Sequence, residues 1–263
     1  MQSNSFDCLN QDKKNSEIGQ TIKTFESIDS TNLEAKRQAI SGAGHGTVFL
    51  AEEQTHGKGR LGRSWNSSKG EGLYLSILLR PDIPAEQISR MTLVSGISIC
   101  STLNEMFCCN SLLKWPNDVI IGRKKVCGIL TESSLSPDGI EYVIIGIGIN
   151  INQKTFPNEI SQKATSLFLE TGRHVPKGLL LSNLLETFQQ DYDTFIGGSF
   201  EDLRTKYCSK LATLGKTVHS FQGNQIVSGK AVDISADGSL IIETPDKDRI
   251  VLSCGEVTVQ GIY

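Results

Sequence analysis

A loop rich in glycine and cationic side chains is the stretch of this chain best suited to chemistry. Residues 54–65 hold three glycines, three Lys or Arg side chains and a tryptophan, with no acidic residue among them. Glycines let backbone N–H groups approach a ligand closely, and Lys and Arg donate to phosphate oxygens. A strand-like run at 47–52 precedes the loop. We therefore expect a mobile basic loop at a strand end that folds over a phosphorylated species, although a solvated surface loop would share this composition.

The common phosphate-binding motifs do not account for this loop. Residues 57–62 match the pattern GxGxxG, but residues 63–70 are polar and rich in Gly and Ser. That composition is typical of a loop and not of the helix that a dinucleotide fingerprint requires. The sequence contains neither the HRD and DFG segments of protein kinases nor a GxxxxGK[ST] segment, which excludes a kinase and a P-loop.

The composition bounds the class of protein. The 263 residues carry a net charge of −3 and a pI near 5.9, which disfavours bulk nucleic-acid binding. The first twenty residues are polar and lack the apolar core of a signal peptide, so we predict a flexible tail. The longest apolar run, residues 142–149, is too short to cross a bilayer. We expect a cytoplasmic protein that makes no contact with membranes.

Cysteine and histidine spacing gives no sign of a metal site. The seven cysteines include no CxxC pair, so we expect reduced and partly buried thiols. The four histidines show no ligand spacing either, and His56 is predicted to be a loop residue and not a base. We expect no metal to be held by the protein alone.

The elements before the basic loop are predicted to be a strand and a helix. Residues 21–28 are strand-like, and a helix is predicted to start within residues 29–32. Thr31 and Glu34 fit a capping box. Alternatively, the helix N-terminus presents its free N–H groups and the hydroxyls of Ser30 and Thr31 to a polar ligand oxygen. The local pattern leaves both interpretations open.

The middle of the chain is predicted to form a strand at 73–79, a core-facing helix at 84–107 and three further strands. Between the first two of these strands, a turn at 116–118 sets the Asn117 amide beside the Asp118 carboxylate. The third strand resumes after a turn at 122–125. The pattern alone does not decide whether Lys124 or Lys125 projects inward.

The remaining segments complete a two-part architecture. Residues 141–150 read as a fully buried strand, in which Gly146 and Gly148 indicate that another backbone or a ligand comes close. Helices are predicted at 177–195 and 199–211, followed by short β segments spaced as in a small barrel. We predict a flexible tail at 1–20, one large domain at 21–213 and a small all-β domain at 214–263.

Several motifs together resemble those of the biotin protein ligases. They occur in the family's order at residues 29–32, 57–65, 114–118, 125–130, 146–150, 238–240 and 253–257. The resemblance implies an α+β fold, namely a class II aminoacyl-tRNA-synthetase-like catalytic domain with a mixed sheet flanked by helices, followed by an SH3-like β-barrel. Only about twenty polar residues precede the first strand, so the chain resembles the short form that lacks a DNA-binding domain.

The resemblance also implies a reaction in two steps. The carboxylate of biotin attacks the α-phosphate of ATP, with Mg²⁺, and gives biotinyl-5′-AMP and pyrophosphate. A lysine amine on the biotin carboxyl carrier domain of acetyl-CoA carboxylase then attacks the anhydride and expels AMP. Such a reaction needs positioning and charge stabilisation but no protein nucleophile.

Site residues follow from the matching motif positions. The residues implied to be catalytic are Lys125, Arg60 and Lys58. Those implied to bind biotin are Ser30, Thr31, Asn32, Gln54, Gly57, Lys58, Gly59, Arg60, Lys125, Gly128, Gly146 and Gly148. Those implied to bind ATP are Arg60, Arg63, Trp65, Asn117, Asp118, Lys125 and Asn150, with Mg²⁺ near Asp118. Lys58 stands where the bacterial repressor form has arginine, which implies looser retention of the adenylate.

Two alternative functions share these features. A lipoate or octanoate ligase has the same catalytic fold, and a non-catalytic binder would keep the binding residues but could lose the central lysine. The presence of Lys125 disfavours the binder, and the pairing of the 57–65 and 114–118 motifs favours biotin. We also expect a homodimer formed at an exposed sheet edge.

Overall fold

Two β-sheets organise the chain, of which the computed structural model describes residues 16–222, 225–253, 255 and 257–263. The first sheet contains β1 to β7, and the second contains β8 to β12. In chain order the elements are β1 (Ile22–Phe25), α1 (Thr31–Ile40), β2 (Thr47–Ala51), β3 (Gly72–Leu79), α2 (Ile88–Phe107), β4 (Ser111–Lys114), β5 (Asp118–Ile121), β6 (Lys124–Ser136), β7 (Gly139–Asn150), α3 (Leu167–Thr171), α4 (Lys177–Ile196), α5 (Phe200–Lys210), β8 (Thr217–Gln222), β9 (Gln225–Ile234), β10 (Leu240–Glu243), β11 (Arg249–Leu252) and β12 (Val257–Val259).

The larger sheet is mixed and is covered by helices on both faces. Its strand order is β1-β2-β3-β7-β6-β5-β4, with β1 and β2 parallel and the other neighbours antiparallel. Side chains alternate between faces along each strand. Phe49 and Leu78 therefore pack with Ala35 and Ala39 of α1, while the opposite face packs against α2, α4 and α5 in the main core. The predicted mixed sheet with flanking helices is confirmed.

A row of directly paired residues crosses the larger sheet on the face that α1 covers. Lys114 pairs with Asp118, Asp118 with Gly128, Gly128 with Gly148, and Gly148 with Tyr74. Directly paired residues point to the same face of a sheet. Gly128 and Gly148 at the centre of this row leave a strip of backbone without side chains, which we call the glycine strip. Lys114 and Asp118 lie on one side of it, and the Tyr74 ring lies on the other.

The second sheet is antiparallel throughout, with the order β11-β10-β9-β8-β12. The short β segments predicted after residue 214 are confirmed as the five strands β8 to β12. The connections of the two sheets are in contact: the Trp115 indole N–H, between β4 and β5, donates to the Gly238 carbonyl, between β9 and β10, at 3.0 Å. The predicted boundary between residues 213 and 214 stays a prediction.

The predicted flexible tail, residues 1–20, includes residues that pack against the rest of the chain. Ile18 is fully buried in the main core, its N–H donates to Gln189 Oε1 at 2.8 Å, and the Gly19 N–H donates to the Gly46 carbonyl. The prediction is therefore wrong for residues 16–20, because a single isoleucine in a polar stretch supplies a buried anchor. The rest of the predicted tail, residues 1–15, lies outside the described residues. The sequence pattern also contained no sign of α3.

The described cysteines are free thiols, namely Cys100, Cys108, Cys109, Cys127 and Cys208. Burial raises the pKa of Cys100, Cys109, Cys127 and Cys208, so these thiols stay protonated near neutral pH. Cys8 and Cys254 lie outside the described residues. Within the described ranges, no helix combines the length and the apolar character needed to traverse a bilayer.

Candidate active site

The basic loop follows β2, as predicted, and it folds back on itself. The Trp65 N–H donates to the Gly57 carbonyl at 2.8 Å, and the Gly59 N–H donates to the Arg63 carbonyl at 2.7 Å. A Cβ atom at Gly57 would lie 2.5 Å from the Trp65 carbonyl oxygen, so only glycine fits there. These bonds give the loop a defined closed shape, while its mobility stays a prediction.

The N-terminus of α1 faces this loop. Ser30 is the N-cap residue but its hydroxyl makes no capping bond. Instead, Gln54 Oε1 accepts from the Thr31 N–H at 2.8 Å and from the Thr31 hydroxyl at 3.1 Å. Glu34 is engaged by Arg37, whose Nε donates to it at 2.8 Å. The predicted Thr31–Glu34 capping box is therefore wrong, because a side chain from the loop after β2 caps the helix.

Asn32 is held against the sheet by bonds on both ends of its amide. Its Oδ1 accepts from the Ser76 hydroxyl at 2.6 Å, and its Nδ2 donates to Glu132 Oε2 at 2.7 Å. A Cβ atom at Gly146 would lie 2.1 Å from Asn32 Oδ1. The close approach predicted at Gly146 is confirmed, but the approaching group is a side chain and not a backbone or a ligand.

Trp65 covers the neighbouring part of the glycine strip. A Cβ atom at Gly148 would lie 2.5 Å from Trp65 Nε1, and one at Gly128 would lie 2.9 Å from Trp65 Cζ3. The indole N–H is buried and has no hydrogen-bond partner within the described part of the chain. The Trp65 ring therefore rests directly on backbone that glycine leaves open.

Two adjoining cavities lie on this face of the sheet. The larger has a volume of about 520 Å³ and the smaller about 50 Å³. Ser30, Asn32 and Gln54 line the smaller one, and Arg63, Asp118 and Asn150 line the larger one. Three residues line both, and they mark the partition between the cavities: Trp65, Asn117 and Lys125.

Lys125 projects into the site and Lys124 does not. Lys125 Nζ lies 2.6 Å from Asp118 Oδ1 and 5.2 Å from the centroid of a Trp65 ring, whereas Lys124 Nζ donates to the Ser161 carbonyl at 3.3 Å. The β5–β6 register shifts between Val119 and Ile120, and such irregularities redirect side chains. This local shift separates two lysines that the sequence pattern treats alike.

Arg60 ties the basic loop to two other parts of the chain. Its Nη1 donates to Asn117 Oδ1 at 3.0 Å and its Nη2 donates to the Gly255 carbonyl at 3.1 Å. Asn117 is itself fixed, because its Nδ2 donates to the Ile129 carbonyl at 2.8 Å. The guanidinium therefore links the loop, the β4–β5 turn and the segment before β12.

The structure brings the predicted residues together. Every predicted site residue except Gly57 lines one of the two cavities, and Asn150 is anchored there because its Nδ2 donates to the Thr165 carbonyl at 2.9 Å. His56 stays in the loop beside Thr55. Five further residues were not predicted: Ser76 and Glu132 fix Asn32, and Lys114, Gln153 and Tyr263 line the larger cavity. Of these, Lys114 had a signal, since it opens the motif at 114–118.

A family model described as the biotin/lipoate A/B protein ligase family matches residues 24–150, and one described as the biotin protein ligase C terminal domain matches residues 213–259. The bifunctional ligase/repressor BirA of Bacillus subtilis is 34% identical over 238 residues, covering 90% of this chain and 73% of that protein. The biotin–[acetyl-CoA-carboxylase] ligase of Paracoccus denitrificans is 32% identical, covering 89% and 98%.

A solved structure agrees with these matches. The biotin protein ligase from Aquifex aeolicus, in complex with biotin and ATP, is 35% identical with a TM-score of 0.80. The match covers 92% of this chain and 99% of that one. The likeness therefore includes both the mixed sheet and the C-terminal antiparallel sheet.

Proposed function

The chain belongs to the biotin protein ligase family, and from that premise we propose that it joins biotin to protein in two ATP-dependent steps. A biotin carboxylate oxygen attacks the α-phosphorus of ATP, and the bond to pyrophosphate breaks. The amine of one lysine on the biotin carboxyl carrier domain of acetyl-CoA carboxylase then attacks the acyl carbon, loses a proton and expels AMP. The single observation that carries this proposal is the place of Lys125 on the partition between two cavities.

We assign biotin to the smaller cavity. Ser30, Thr31, Asn32 and Gln54 present amide and hydroxyl groups suited to the ureido ring, and all four line this cavity. Its 50 Å³ is far below the several hundred Å³ of ordinary ligand pockets. Biotin binding must therefore enlarge it, and Trp65 on the glycine strip is the side chain that stands in the way.

We assign ATP to the larger cavity, whose volume is in the ordinary range for ligand sites. Arg63, Asn150 and Trp65 line this cavity, and we assign Arg63 to the triphosphate and the other two to the adenine. Asp118 offers carboxylate oxygen, the ligand type that Mg²⁺ prefers, so Mg²⁺ is expected to enter with ATP and lie near it. No step requires a metal held by the protein alone.

Charge stabilisation is the task proposed for the cationic residues. The carboxylate of biotin and the α-phosphate must approach each other although both are anionic. Lys125 on the partition supplies one positive charge, and Arg60 and Lys58 on the smaller cavity supply two more. Lys58 donates as a point charge, without the forked geometry of arginine.

Arg60→Ala is expected to release free biotinyl-AMP about tenfold faster than the wild type, since a hydrogen bond from a charged group contributes about 1.5–3 kcal/mol. The substitution removes the guanidinium that joins the loop to Asn117 and Gly255. Chromatography of the filtrate, with no acceptor present, measures this release. Leu61→Ala is the matched control, because Leu61 belongs to the same loop and is 72% exposed. Equal release from the wild type and Arg60→Ala would contradict the proposal that Arg60 retains biotinyl-AMP in the site.

A direct assay tests the whole proposal. The protein is incubated with ATP, Mg²⁺, biotin and a carrier domain, and the carrier is weighed by mass spectrometry. The proposal predicts the addition of one biotinyl group. Acylation by lipoate in place of biotin would favour the lipoate ligase alternative. Biotin binding without pyrophosphate release would favour a non-catalytic binder.

Several finer features are proposed together with this function. We propose a class II synthetase-like catalytic domain at 21–213 and an SH3-like barrel at 214–263, supported by the mixed sheet and the five-stranded antiparallel sheet. We also propose a side-by-side homodimer at a sheet edge, which light scattering would test. Independence from DNA is supported only by the net charge of −3, and a filter-binding assay would test it.

A further inference from the structure

A turn after β12 delivers Tyr263 into the larger cavity. Gly261 adopts a φ of 77°, which favours glycine, and the Ile262 N–H donates to the Val259 carbonyl at 3.1 Å. Ile262 is buried, and the Tyr263 N–H donates to the Arg123 carbonyl at 3.2 Å. The backbone of Tyr263 is therefore fixed by its hydrogen bond to Arg123 and by the buried Ile262, independently of the contacts that the Tyr263 side chain makes.

The Tyr263 hydroxyl reaches the carboxylate that also pairs with the central lysine. It donates to Asp118 Oδ2, while Asp118 Oδ1 lies 2.6 Å from Lys125 Nζ. Asp118 is 14% exposed and Lys125 is 26% exposed. The carboxylate therefore accepts a hydrogen bond on one oxygen and forms an ion pair through the other, in a place that water reaches only in part.

Lys114 completes the arrangement from the other side of the ring. Its Nζ lies 4.0 Å from the centroid of the Tyr263 ring, and Lys114 is buried. A cation on a ring face is attracted to it electrostatically. It also draws electron density from the phenol, which makes the hydroxyl a stronger donor. The order is therefore Lys114, Tyr263, Asp118 and Lys125, with a positive charge at each end and the carboxylate between them.

We propose that Tyr263 is a positioning residue for the ligation reaction. It shares the Asp118 carboxylate with Lys125 and thereby leaves Lys125 free to turn to the substrate anions. This inference rests on the proposed function. Lys125 has to exchange Asp118 for the biotin carboxylate and the α-phosphate. A carboxylate that loses a partner in a partly buried site loses stability unless another donor remains. Tyr263 is that remaining donor, and it belongs to the C-terminal part of the chain.

Tyr263→Phe is the first test, because it keeps the ring over Lys114 and the backbone bond to Arg123 but removes the hydroxyl. The single-turnover rate of biotinyl-AMP formation is expected to fall about tenfold, equivalent to about 1.4 kcal/mol, with an unchanged melting temperature. Tyr142→Phe is the matched control, since Tyr142 packs in the cluster under α1 and lines neither cavity. Its rate is expected to equal that of the wild type.

A double-mutant cycle separates positioning from packing. In an Asp118→Asn background, Lys125 has no carboxylate to leave, so adding Tyr263→Phe is expected to cause no further loss. Losses that multiply would overturn the inference, and so would a wild-type rate in Tyr263→Phe alone. If the wild type itself forms no biotinyl-AMP, it is the proposed function that fails.

A third measurement does not depend on activity. An amine-reactive ester labels both lysines, and peptide mass spectrometry gives the ratio of Lys125 to Lys124 modification in each variant. Tyr263→Phe is expected to lower this ratio, because Asp118 then holds the Lys125 ammonium more tightly. Lys124 is an internal reference, since it contacts the Ser161 carbonyl and not Asp118. An unchanged ratio would overturn the inference even if Asp118→Asn proved inactive.

Discussion

Lys125→Ala is expected to lower the single-turnover rate of biotinyl-AMP formation by about 10²–10³-fold, the loss typical of removing one preorganised donor from a developing charge. The ammonium lies on the partition between the two cavities, where the biotin carboxylate and the α-phosphate must meet. Without it, Asp118 keeps its negative charge at the same place and repels both substrates. Quench-flow with labelled ATP measures this rate.

Two further variants sharpen that experiment. Lys124→Ala is the matched control, because Lys124 contacts the Ser161 carbonyl and lines neither cavity, and its rate is expected to equal that of the wild type. Asp118→Asn added to Lys125→Ala also removes the carboxylate assigned to Mg²⁺, so the double variant is expected to recover none of the lost rate. A Lys125→Ala rate within about threefold of the wild type, far short of the loss expected for such a donor, would refute the role assigned to this lysine.

Gly146→Ala is expected to weaken biotin binding about a hundredfold. The new Cβ would lie 2.1 Å from Asn32 Oδ1, and Asn32 cannot move without breaking its bonds to Ser76 and Glu132. Leaving a buried polar group without its partner costs about 1–3 kcal/mol, so losing both bonds accounts for a change of this size. Isothermal titration with biotin measures the affinity, and the melting temperature should fall with it.

The control for that substitution is another glycine. A Cβ atom at Gly44 would meet no atom of the described residues within 4 Å, and Gly44 has no positive φ. Gly44→Ala is therefore expected to leave both biotin affinity and melting temperature unchanged. If Gly146→Ala bound biotin as the wild type does, the Asn32 side chain would have to be dispensable for recognising the ureido ring.

The strands and helices follow patterns that a sequence displays, and most were predictable for that reason. Alternation and helical spacing depend on near neighbours in the chain, which is why the strand at 73–79 and the helix at 84–107 agree with β3 and α2. Nearly all of the site residues implied by the motif positions line one of the two cavities. What the motif positions could not give was orientation, because the side chain of Lys125 depends on a register shift between two strands.

The remaining errors share one cause, namely contacts between residues far apart in the chain. Thr31 and Glu34 have the spacing of a capping box, yet Gln54 provides the cap. Ile18 stands in a polar stretch, yet its side chain is buried in the core and its N–H donates to Gln189. Tyr263 carries no local signal, since its partner Asp118 lies 145 positions earlier. No pattern of neighbours encodes such pairings.

The tryptophan on the glycine strip has a practical consequence. The chain has two tryptophans, and Trp115 is 2% exposed and hydrogen-bonded to Gly238. Trp65, in contrast, rests on Gly128 and Gly148, and its indole N–H has no partner among the residues that the structure describes. Its emission is therefore expected to shift when either cavity fills, whereas Trp115 lines the larger cavity alone and is expected to be insensitive to the filling of the smaller one. The intrinsic fluorescence of Trp65 therefore reports ligand binding, and stopped-flow measurements can follow it without any attached dye.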